Sequence, residues 1–273
     1  RLMIPDSKIE DWLREDLGHH DVTNHVPGET TGRLVAKEDG VAAGLDAAVG
    51  VFEYLDVTAE PQVEAGDRIQ AGDTVLAVEG PAQDVLRGER VAVNIAGHSS
   101  GIATRTRRAV DAAGGVSDDV SIAGTRKTTP GLRGIEKRAV VAGGGDTHRL
   151  DLSHMVMVKD NHVAEMGMGE AIAHFREQAS FTTKIEVEVE QPAAAPRAAE
   201  AGADIVLLDN MTPAETEQAV ELLRDADPSV LAEASGGITI DDVPDYAGTG
   251  VDVISMGSLT HSADALDYSF RTG

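Results

Sequence analysis

Basic residues are concentrated in one part of an otherwise acidic chain. The 273 residues include 23 Lys and Arg against 47 Asp and Glu, for a net charge of −24. Between Ser121 and His162 the balance reverses, with seven basic residues against four acidic ones. The seven are Arg126, Lys127, Arg133, Lys137, Arg138, Arg149 and Lys159. Cations retained together in so acidic a chain predict a binding site for an anion. The alternative is ion pairing with neighbours such as Glu136 and Asp160.

The arginines of this segment indicate the chemistry of the anion. A planar guanidinium binds a carboxylate through two parallel hydrogen bonds, so several arginines around one pocket predict a small molecule with more than one carboxylate. His148 and Arg149 follow the glycine run 143–145, where the backbone can approach a ligand closely or move. We therefore expect His148 in the site as well. No spacing typical of metal ligands is found for His19, His20, His25, His154, His174 and His261.

Two acidic residues at the ends of apolar runs suit a metal ion. Glu188 and Asp209 have few basic neighbours in the sequence, and carboxylates of this kind hold a Mg²⁺ that also bridges to substrate oxygens. The alternative is a salt bridge to the lysines of the same pocket, and the two roles can coexist.

Two glycine-containing loops predict a phosphate site. Ser235, Gly236 and Gly237 precede a Thr-x-x-Asp helix start at 239–242, so unobstructed backbone N–H groups face a helix N-terminus. Gly257 opens a second loop after the next apolar run, and barrels of parallel strands often bind phosphate in the loops after their last two strands. Ser-Gly-Gly by itself is equally typical of a plain turn.

All these residues follow short apolar runs in the second half of the chain. Helical segments separate the runs, which recur roughly every 20 to 34 residues, as in βα units. The predicted strands are 121–123, 155–158, 185–189, 205–208, 230–232 and 253–256. A residue capable of chemistry follows each of them. Because barrels of parallel strands carry their active sites at the C-terminal strand ends, we expect one shared pocket.

The first half of the chain predicts a mixture of helices and strands. A helix over 7–17 places Ile9, Trp12 and Leu13 on one face. Strands are expected at 33–36, 68–69 and 74–78, with glycine turns at 66–67 and 72–73. A long helix then runs from Pro81 to Gly114, with a break near 97–101.

Composition excludes several classes of function. The negative charge argues against nucleic acid and anionic membranes as partners. No cysteine is present, so disulfides and thiolate metal sites are excluded, and a reducing cytoplasm is the expected location. Acids spread along the whole chain favour a halophilic protein, because a Debye length of about 3 Å at 1 M salt screens their repulsion; an ordinary acidic protein is the alternative. Met3 is typical of a natural start, so Arg1 and Leu2 are read as additions.

The longer motifs resemble the quinolinate phosphoribosyltransferase family. The first is Gly-Thr-Arg-Lys-Thr-Thr-Pro-Gly-Leu-Arg at 124–133, followed by Gly-Gly-Gly-Asp-Thr-His-Arg-Leu at 143–150 and Val-Lys-Asp-Asn-His at 158–162. Further matches lie at 88–90, Asn94, His98, 100–104, 186–189, 207–210, 235–237 and 257–262. The resemblance extends from residue 17 to residue 267, and motifs of this length in this order are highly specific.

The resemblance implies an α/β fold with two domains. It implies an N-terminal α/β sandwich domain over 1–112, to which 262–273 returns, and an open α/β barrel of parallel strands over 113–261 that carries catalysis. It also implies a homodimer, or a larger assembly built from it, in which each active site takes residues from both subunits.

The resemblance also assigns roles to individual residues. Arg126, His148, Arg149 and Lys159, with Arg90 from the other subunit, would bind the two carboxylates of quinolinate. Lys127, Glu188 and Asp209 would act on the ribose and on Mg²⁺-pyrophosphate, and together with Lys159 they form the expected catalytic set. Ser235, Gly236, Gly237 and Gly257 would bind the 5′-phosphate. The implied reaction joins quinolinate to phosphoribosyl pyrophosphate and gives nicotinate mononucleotide, pyrophosphate and carbon dioxide in NAD biosynthesis.

Two departures and three rival functions accompany this interpretation. Gly124 stands where many relatives have Asp, and Ala234 where some have Ser, which removes one hydroxyl near the phosphate. A relative acting on another pyridine carboxylate is the nearest rival, although one carboxylate would need fewer arginines. A Schiff-base lyase would use Lys159 as its nucleophile. A lipoyl-type carrier, suggested by the Ala-Gly-Asp turns at 65–67 and 71–73, is disfavoured because no lysine occurs between Lys37 and Lys127.

Overall fold

The structure is a computed structural model and describes residues 4–273. The interpretation of Arg1, Leu2 and Met3 lies outside the described residues. Within them the helices are α1 Asp6–Leu17, α2 Leu45–Tyr54, α3 Ala82–Gly114, α4 Arg133–Ala142, α5 Asp160–Met166, α6 Met168–Gln178, α7 Ala195–Glu200, α8 Pro213–Ala226, α9 Val243–Ala247 and α10 Ser258–His261. The strands are β1 Glu29–Ala36, β2 Gly40–Val41, β3 Thr58–Pro61, β4 Arg68–Ile69, β5 Thr74–Pro81, β6 Ser121–Ala123, β7 Val156–Val158, β8 Ile185–Val189, β9 Ile205–Asp209, β10 Leu231–Ser235, β11 Val253–Ser255 and β12 Tyr268–Thr272. Among residues 4–273 no helix is long and apolar enough to cross a membrane.

The chain divides into two compact units. The first comprises Arg1–Arg107, Gly134–Gly144 and Ser262–Gly273, and the second comprises Arg108–Arg133 and Gly145–His261. This division interrupts the predicted segment 113–261, because most of α4 belongs to the first unit. The chain end 262–273 is also part of the first unit, where β12 pairs with β1.

The first unit is built on an antiparallel sheet with an apolar core. Its strand order is β12-β1-β5-β3, and β2 and β4 form a separate pair. Alternate residues of β1 and β5, such as Leu34 and Leu76, face each other in register and are buried with Phe52 of α2. Four of these elements, α2, β2, β3 and β12, were absent from the sequence prediction. Each is short and is stabilised by packing or pairing with distant residues, which local pattern does not reveal.

The long helix α3 is continuous, so the expected break near 97–101 is wrong. It extends from Ala82 to Gly114 without interruption. Its glycines serve close packing instead: a Cβ on Gly101 would lie 1.9 Å from the Asp264 carbonyl oxygen, and one on Gly97 would lie 2.9 Å from that of Leu266. Leu266 N–H donates to Gly97 O at 2.9 Å. The glycines therefore allow the returning C-terminal segment to contact the helix backbone.

The second unit is the predicted open α/β barrel. Its six parallel strands follow the order β6-β11-β10-β9-β8-β7. The strands β6 and β7 are consecutive in the chain but lie at opposite edges of the sheet, so the barrel stays open between them. All six predicted strands are present with ends shifted by at most three residues. The N-terminal antiparallel sheet and the parallel barrel together confirm the predicted fold class.

Candidate active site

Lys159 and Glu188 meet where two neighbouring strands end. The register of β7 and β8 pairs Val158 with Val187, which brings the following residue of each strand to the same edge of the sheet. Lys159 Nζ donates to Glu188 Oε2 at 2.6 Å. The Glu188 side chain is 13% exposed and that of Lys159 is 46% exposed. The ion pair therefore extends from the barrel interior towards solvent.

Asp209 adds a second carboxylate at the end of the next strand. Burial raises the pKa of Asp209, the negative charge of Glu188 raises it further, and Lys159 opposes this. Asn210 Nδ2 donates to Asp209 Oδ2 at 2.7 Å. Two carboxylates that repel each other on adjacent strands favour a bound cation between or beside them. The donor set thus fits the expected Mg²⁺, and Glu188 also forms the predicted alternative salt bridge.

The loop after β10 is shaped by its glycines. Gly236 has φ +101°, and a Cβ added there would lie 2.4 Å from Asn210 Oδ1, so only glycine fits. Asn210 N–H donates to Ser235 O at 3.0 Å, which joins this loop to the one after β9. The expected helix start at 239–242 is wrong, because the Thr239 hydroxyl and N–H both donate to Asp242 in a turn and α9 begins at Val243.

The loops that carry Lys127 and Gly257 pack against each other. A Cβ on Gly257 would lie 2.9 Å from Lys127 Cδ. Thr260 Oγ1 donates to the Lys127 carbonyl oxygen at 2.7 Å, and Lys127 N–H donates to Thr125 Oγ1 at 3.1 Å. Lys127 is exposed, so its ammonium can reach a ligand above both loops.

His148 forms a buried cluster with two glutamates. Its Nε2 donates to Glu233 Oε2 at 3.0 Å and lies 3.6 Å from Glu186 Oε1. Glu186 is 0% exposed and Glu233 is 2% exposed. Neither glutamate was predicted as a site residue. The available signal was a charged residue within an otherwise apolar strand: Glu186 and Glu188 alternate along β8, and Glu233 lies in the middle of β10.

The contacts within this cluster shift the pKa values of His148 and Glu186. Burial lowers the pKa of His148, but contacts with Glu186 and Glu233 outweigh it and raise this pKa. Burial raises the pKa of Glu186 to about 7, opposed by His148 and assisted by Glu233. The Arg149 backbone N–H donates to Nδ1 at 2.7 Å. This contact requires the neutral ring and therefore opposes the rise in the pKa of His148.

Arg149 is a buried cation with unused hydrogen-bonding capacity. The residue is 8% exposed, and Nη2 contacts Met157 Sδ at 3.0 Å. Its buried Nε has no partner among the described residues. Burial lowers the pKa of Arg149, with the nearby charge of Glu186 opposing the shift. A guanidinium in this state is prepared to bind an anionic ligand.

The structure brings most of the predicted residues into one unit. Those in the second unit are Arg126, Lys127, His148, Arg149, Lys159, Glu188, Asp209, Ser235, Gly236, Gly237 and Gly257. Arg90 lies on α3 in the first unit, exposed and 3.7 Å from Glu89. Of the seven cations between Ser121 and His162, Lys137 and Arg138 lie on α4 in the first unit, and Lys137 is 2% exposed.

Fold and site together define an α/β-barrel enzyme that binds a small, multiply charged anion. Cations, paired carboxylates and glycine loops all lie at the C-terminal ends of parallel strands, where such barrels carry their active sites. Family models specify the class further. The quinolinate phosphoribosyl transferase N-terminal domain matches residues 20–100, and the C-terminal domain of the same family matches residues 102–271. The chain therefore belongs to the quinolinate phosphoribosyltransferase family.

Individual relatives are similar over nearly their whole length. The human nicotinate-nucleotide pyrophosphorylase [carboxylating] is 44% identical over 266 residues, covering 96% of this chain and 90% of the human one. The rat protein of the same name is 42% identical over 263 residues, covering 95% and 88%. The crystal structure of NadC from Streptococcus pyogenes superposes with a TM-score of 0.92 at 41% identity, covering 100% of this chain and 99% of that one.

Proposed function

We propose that this chain is a decarboxylating quinolinate phosphoribosyltransferase. It transfers the phosphoribosyl group of phosphoribosyl pyrophosphate to quinolinate and releases pyrophosphate and carbon dioxide, giving nicotinate mononucleotide for NAD biosynthesis. The observation that carries this function is the buried Arg149, whose Nε has no partner among the described residues, in a barrel that also holds the paired carboxylates Glu188 and Asp209.

Quinolinate binding is assigned to the cationic side of the site. Arg126 and Arg149 supply planar donors for the two ring carboxylates, and Lys159 supplies a third cation that Glu188 holds in place. His148 belongs to this group through its contact with Arg149. Fixing both carboxylates orients the pyridine nitrogen towards the ribose, which is the positional part of catalysis.

The phosphorylated substrate is assigned to the opposite side of the site. Lys127, Glu188 and Asp209 act on the ribose and pyrophosphate, and Ser235, Gly236, Gly237 and Gly257 bind the 5′-phosphate. Glu188 and Asp209 would hold Mg²⁺, which supplies charge neutralisation for the departing pyrophosphate. Lys127 adds a mobile positive charge to the same leaving group.

The chemistry follows from the charge that develops on each fragment. The bond from ribose C1 to pyrophosphate breaks, and the pyridine nitrogen bonds to the electron-deficient C1. The ring is then cationic and stabilises the electron pair of the C2–carboxylate bond, which stays on C2 as carbon dioxide leaves; C2 then takes up a proton from water to give nicotinate mononucleotide. Arg126, Arg149 and Lys159 hold the carboxylates and so keep the ring nitrogen directed at C1.

Neither rival has equal support. A Schiff-base lyase needs a free Lys159 amine, whereas Lys159 Nζ is held in an ion pair with Glu188 Oε2 at 2.6 Å. A monocarboxylate substrate would leave one guanidinium of the site unused.

We test the function by measuring pyrophosphate release with quinolinate and, separately, with nicotinate, in molar salt with Mg²⁺. We expect turnover of quinolinate with stoichiometric release of carbon dioxide. If only nicotinate is turned over, the chain is instead a phosphoribosyltransferase for another pyridine carboxylate.

A shared active site in a homodimer is the second part of the proposal. Arg90 lies on α3 in the first unit, whereas every other proposed ligand lies in the second. If Arg90 serves the partner subunit, mixing Arg90→Ala chains with Arg126→Ala chains restores activity, because one site of each mixed dimer has both arginines. Half the dimers are mixed and each has one intact site, so recovery approaches about a quarter of wild type. Mass spectrometry confirms that the subunits have exchanged. If activity then stays at the level of the separate mutants, Arg90 does not serve the partner's site.

A salt-rich cytoplasm is the third part of the proposal. It is supported by the net charge of −24 and by acids spread along the whole chain. Because dilute buffer leaves their repulsion unscreened, we expect loss of structure below a few hundred millimolar salt. Circular dichroism during dialysis measures this loss, and a fold indifferent to salt would contradict the halophilic interpretation.

A further inference from the structure

His148 is held by protein groups at both ring nitrogens. Nε2–H donates to Glu233 Oε2 at 3.0 Å and lies 3.6 Å from Glu186 Oε1. Nδ1 accepts the backbone N–H of Arg149 at 2.7 Å. The side chain is 9% exposed. A neutral imidazole has one donor and one acceptor, so His148 has neither left for a substrate carboxylate.

The Arg149 guanidinium, unlike the His148 ring, keeps a donor that no protein group among the described residues uses. Its buried Nε has no partner among residues 4–273, and Nη2 contacts only the weak acceptor Met157 Sδ at 3.0 Å. A buried donor without a partner is costly. This cost is removed when a ligand carboxylate accepts the hydrogen bond. Arg149 is therefore better placed than His148 to contact the substrate directly.

The backbone at His148 explains why Arg149 needs support. His148 has φ +52°, a left-handed conformation that few residues other than glycine, Asn and Asp adopt readily. Its N–H donates to Asp146 Oδ1 at 2.6 Å. The ring contacts at Nε2 and Nδ1 hold this turn closed, which fixes the direction in which the chain continues into Arg149.

We propose that His148 is a positioning residue, which accepts the Arg149 backbone N–H, is anchored by Glu233, and so directs the Arg149 guanidinium at a substrate carboxylate without touching the substrate. The inference rests on the proposed function and refines one part of it, the role of His148. Glu233 is then a second positioning residue, which acts on Arg149 only through His148.

Two substitutions at His148 separate the positioning role from direct binding. His148→Asn keeps an oxygen that can accept the Arg149 N–H and tolerates the left-handed backbone, but it loses the bond to Glu233. His148→Leu loses both contacts. We expect KM for quinolinate to rise roughly 3- to 10-fold in the Asn variant and by more than about 30-fold in the Leu variant. KM for phosphoribosyl pyrophosphate stays within about twofold in both.

A direct role as a cationic ligand gives a different result. Asn and Leu both lack a charge, so the two variants would then lose quinolinate affinity equally, and this equality would overturn the proposal. His174→Asn and His174→Leu are the matched controls, since His174 is an exposed histidine on α6 whose contact is with Gln178. They show what the same substitutions do away from the site.

The tautomer of His148 provides a test that needs no substrate. In uniformly ¹⁵N-labelled protein, with the His148→Asn spectrum to assign the signal, the ring should show one protonated nitrogen, Nε2, at pH 7.5. An imidazolium protonated at both nitrogens would overturn the proposal even if both variants failed to fold. A wild-type chain that does not turn over quinolinate would refute the proposed function, while leaving this measurement of the ring contacts unaffected.

Discussion

Both units bury apolar side chains, and the barrel strands of the second unit also bury carboxylates. The antiparallel sheet of the first unit encloses apolar residues such as Leu34, Phe52 and Leu76. The barrel of the second unit encloses Glu186 and Glu233, each at most 2% exposed. Burying apolar surface stabilises a fold, whereas burying a charge costs free energy unless it is paired. The difference indicates that the first interior serves stability and the second serves binding.

Charged residues in the first unit sharpen this contrast. Glu136 is 0% exposed and bonds His98 Nε2 at 2.9 Å, so its charge is used within the protein. Buried polar atoms without hydrogen-bond partners among the described residues occur in both units, with Arg105 Nε in the first and Arg149 Nε and both Glu186 carboxylate oxygens in the second. Those of the second unit lie at the barrel site, where a ligand can satisfy them.

The largest expected effect concerns stability in the first unit. Leu76→Ala removes a fully buried side chain from the sheet core and is expected to lower the free energy of unfolding by about 3 to 5 kcal/mol, the upper part of the range for such a change. KM for quinolinate should stay unchanged at a temperature where the variant is folded. Denaturant titration and kinetics on one preparation measure both. A large change in KM, measured where the variant is fully folded, would show that the interior of the first unit also serves binding.

The next effect concerns binding in the second unit. Arg149→Ala and Arg126→Ala are each expected to weaken quinolinate binding by about 2 to 5 kcal/mol, since each leaves a carboxylate unpaired in a partly desolvated pocket. The effect should be larger for Arg149, which is buried while Arg126 is exposed. Steady-state kinetics give the loss, and thermal unfolding should change little. Near-normal turnover in both variants would refute the site assignment.

The smallest effect tests an ion pair of the first unit, Asp21 with Arg87, in which the Asp21 side chain is 7% exposed. Arg87 holds the pKa of Asp21 well below its ordinary value, with the Thr23 N–H contributing. A lowered pKa in the folded state stabilises the protein above the unfolded pKa, and this contribution is lost as pH falls through the folded pKa. Asp21→Asn should therefore reduce stability at pH 6, and the difference from wild type should shrink towards pH 3. Asp16→Asn, at an exposed acid, is the control, and an equal pH dependence of the two variants would contradict the assigned pairing.

Much of the second unit was predictable because its signals are local. Buried parallel strands are short apolar runs, and all six were located from such runs. The proposed catalytic side chains follow these runs directly, so strand positions and residue types were enough to predict that Lys159, Glu188 and Asp209 lie close together. The fold class followed from the alternation of strands and helices.

Errors in the prediction came from contacts between residues far apart in sequence. Gly97 and Gly101 were read as a helix break because glycine weakens helices locally; only the packing of 262–268 against α3 shows why they are there. The strand β12 pairs with β1 from the other end of the chain. Thr239 and Asp242 have the spacing of a helix cap, yet they close a turn.

The sequence by itself determined the family, the barrel strands and the residue types of the site, since these depend on composition and on short-range order. Tertiary structure decided which side chains are left without partners. The link between His148, Glu186 and Glu233 joins β8, β10 and the loop before β7, so residue spacing along the chain does not encode it. Burial then made that link matter, because hydrogen bonds and charges removed from water must be satisfied by one another or by a ligand.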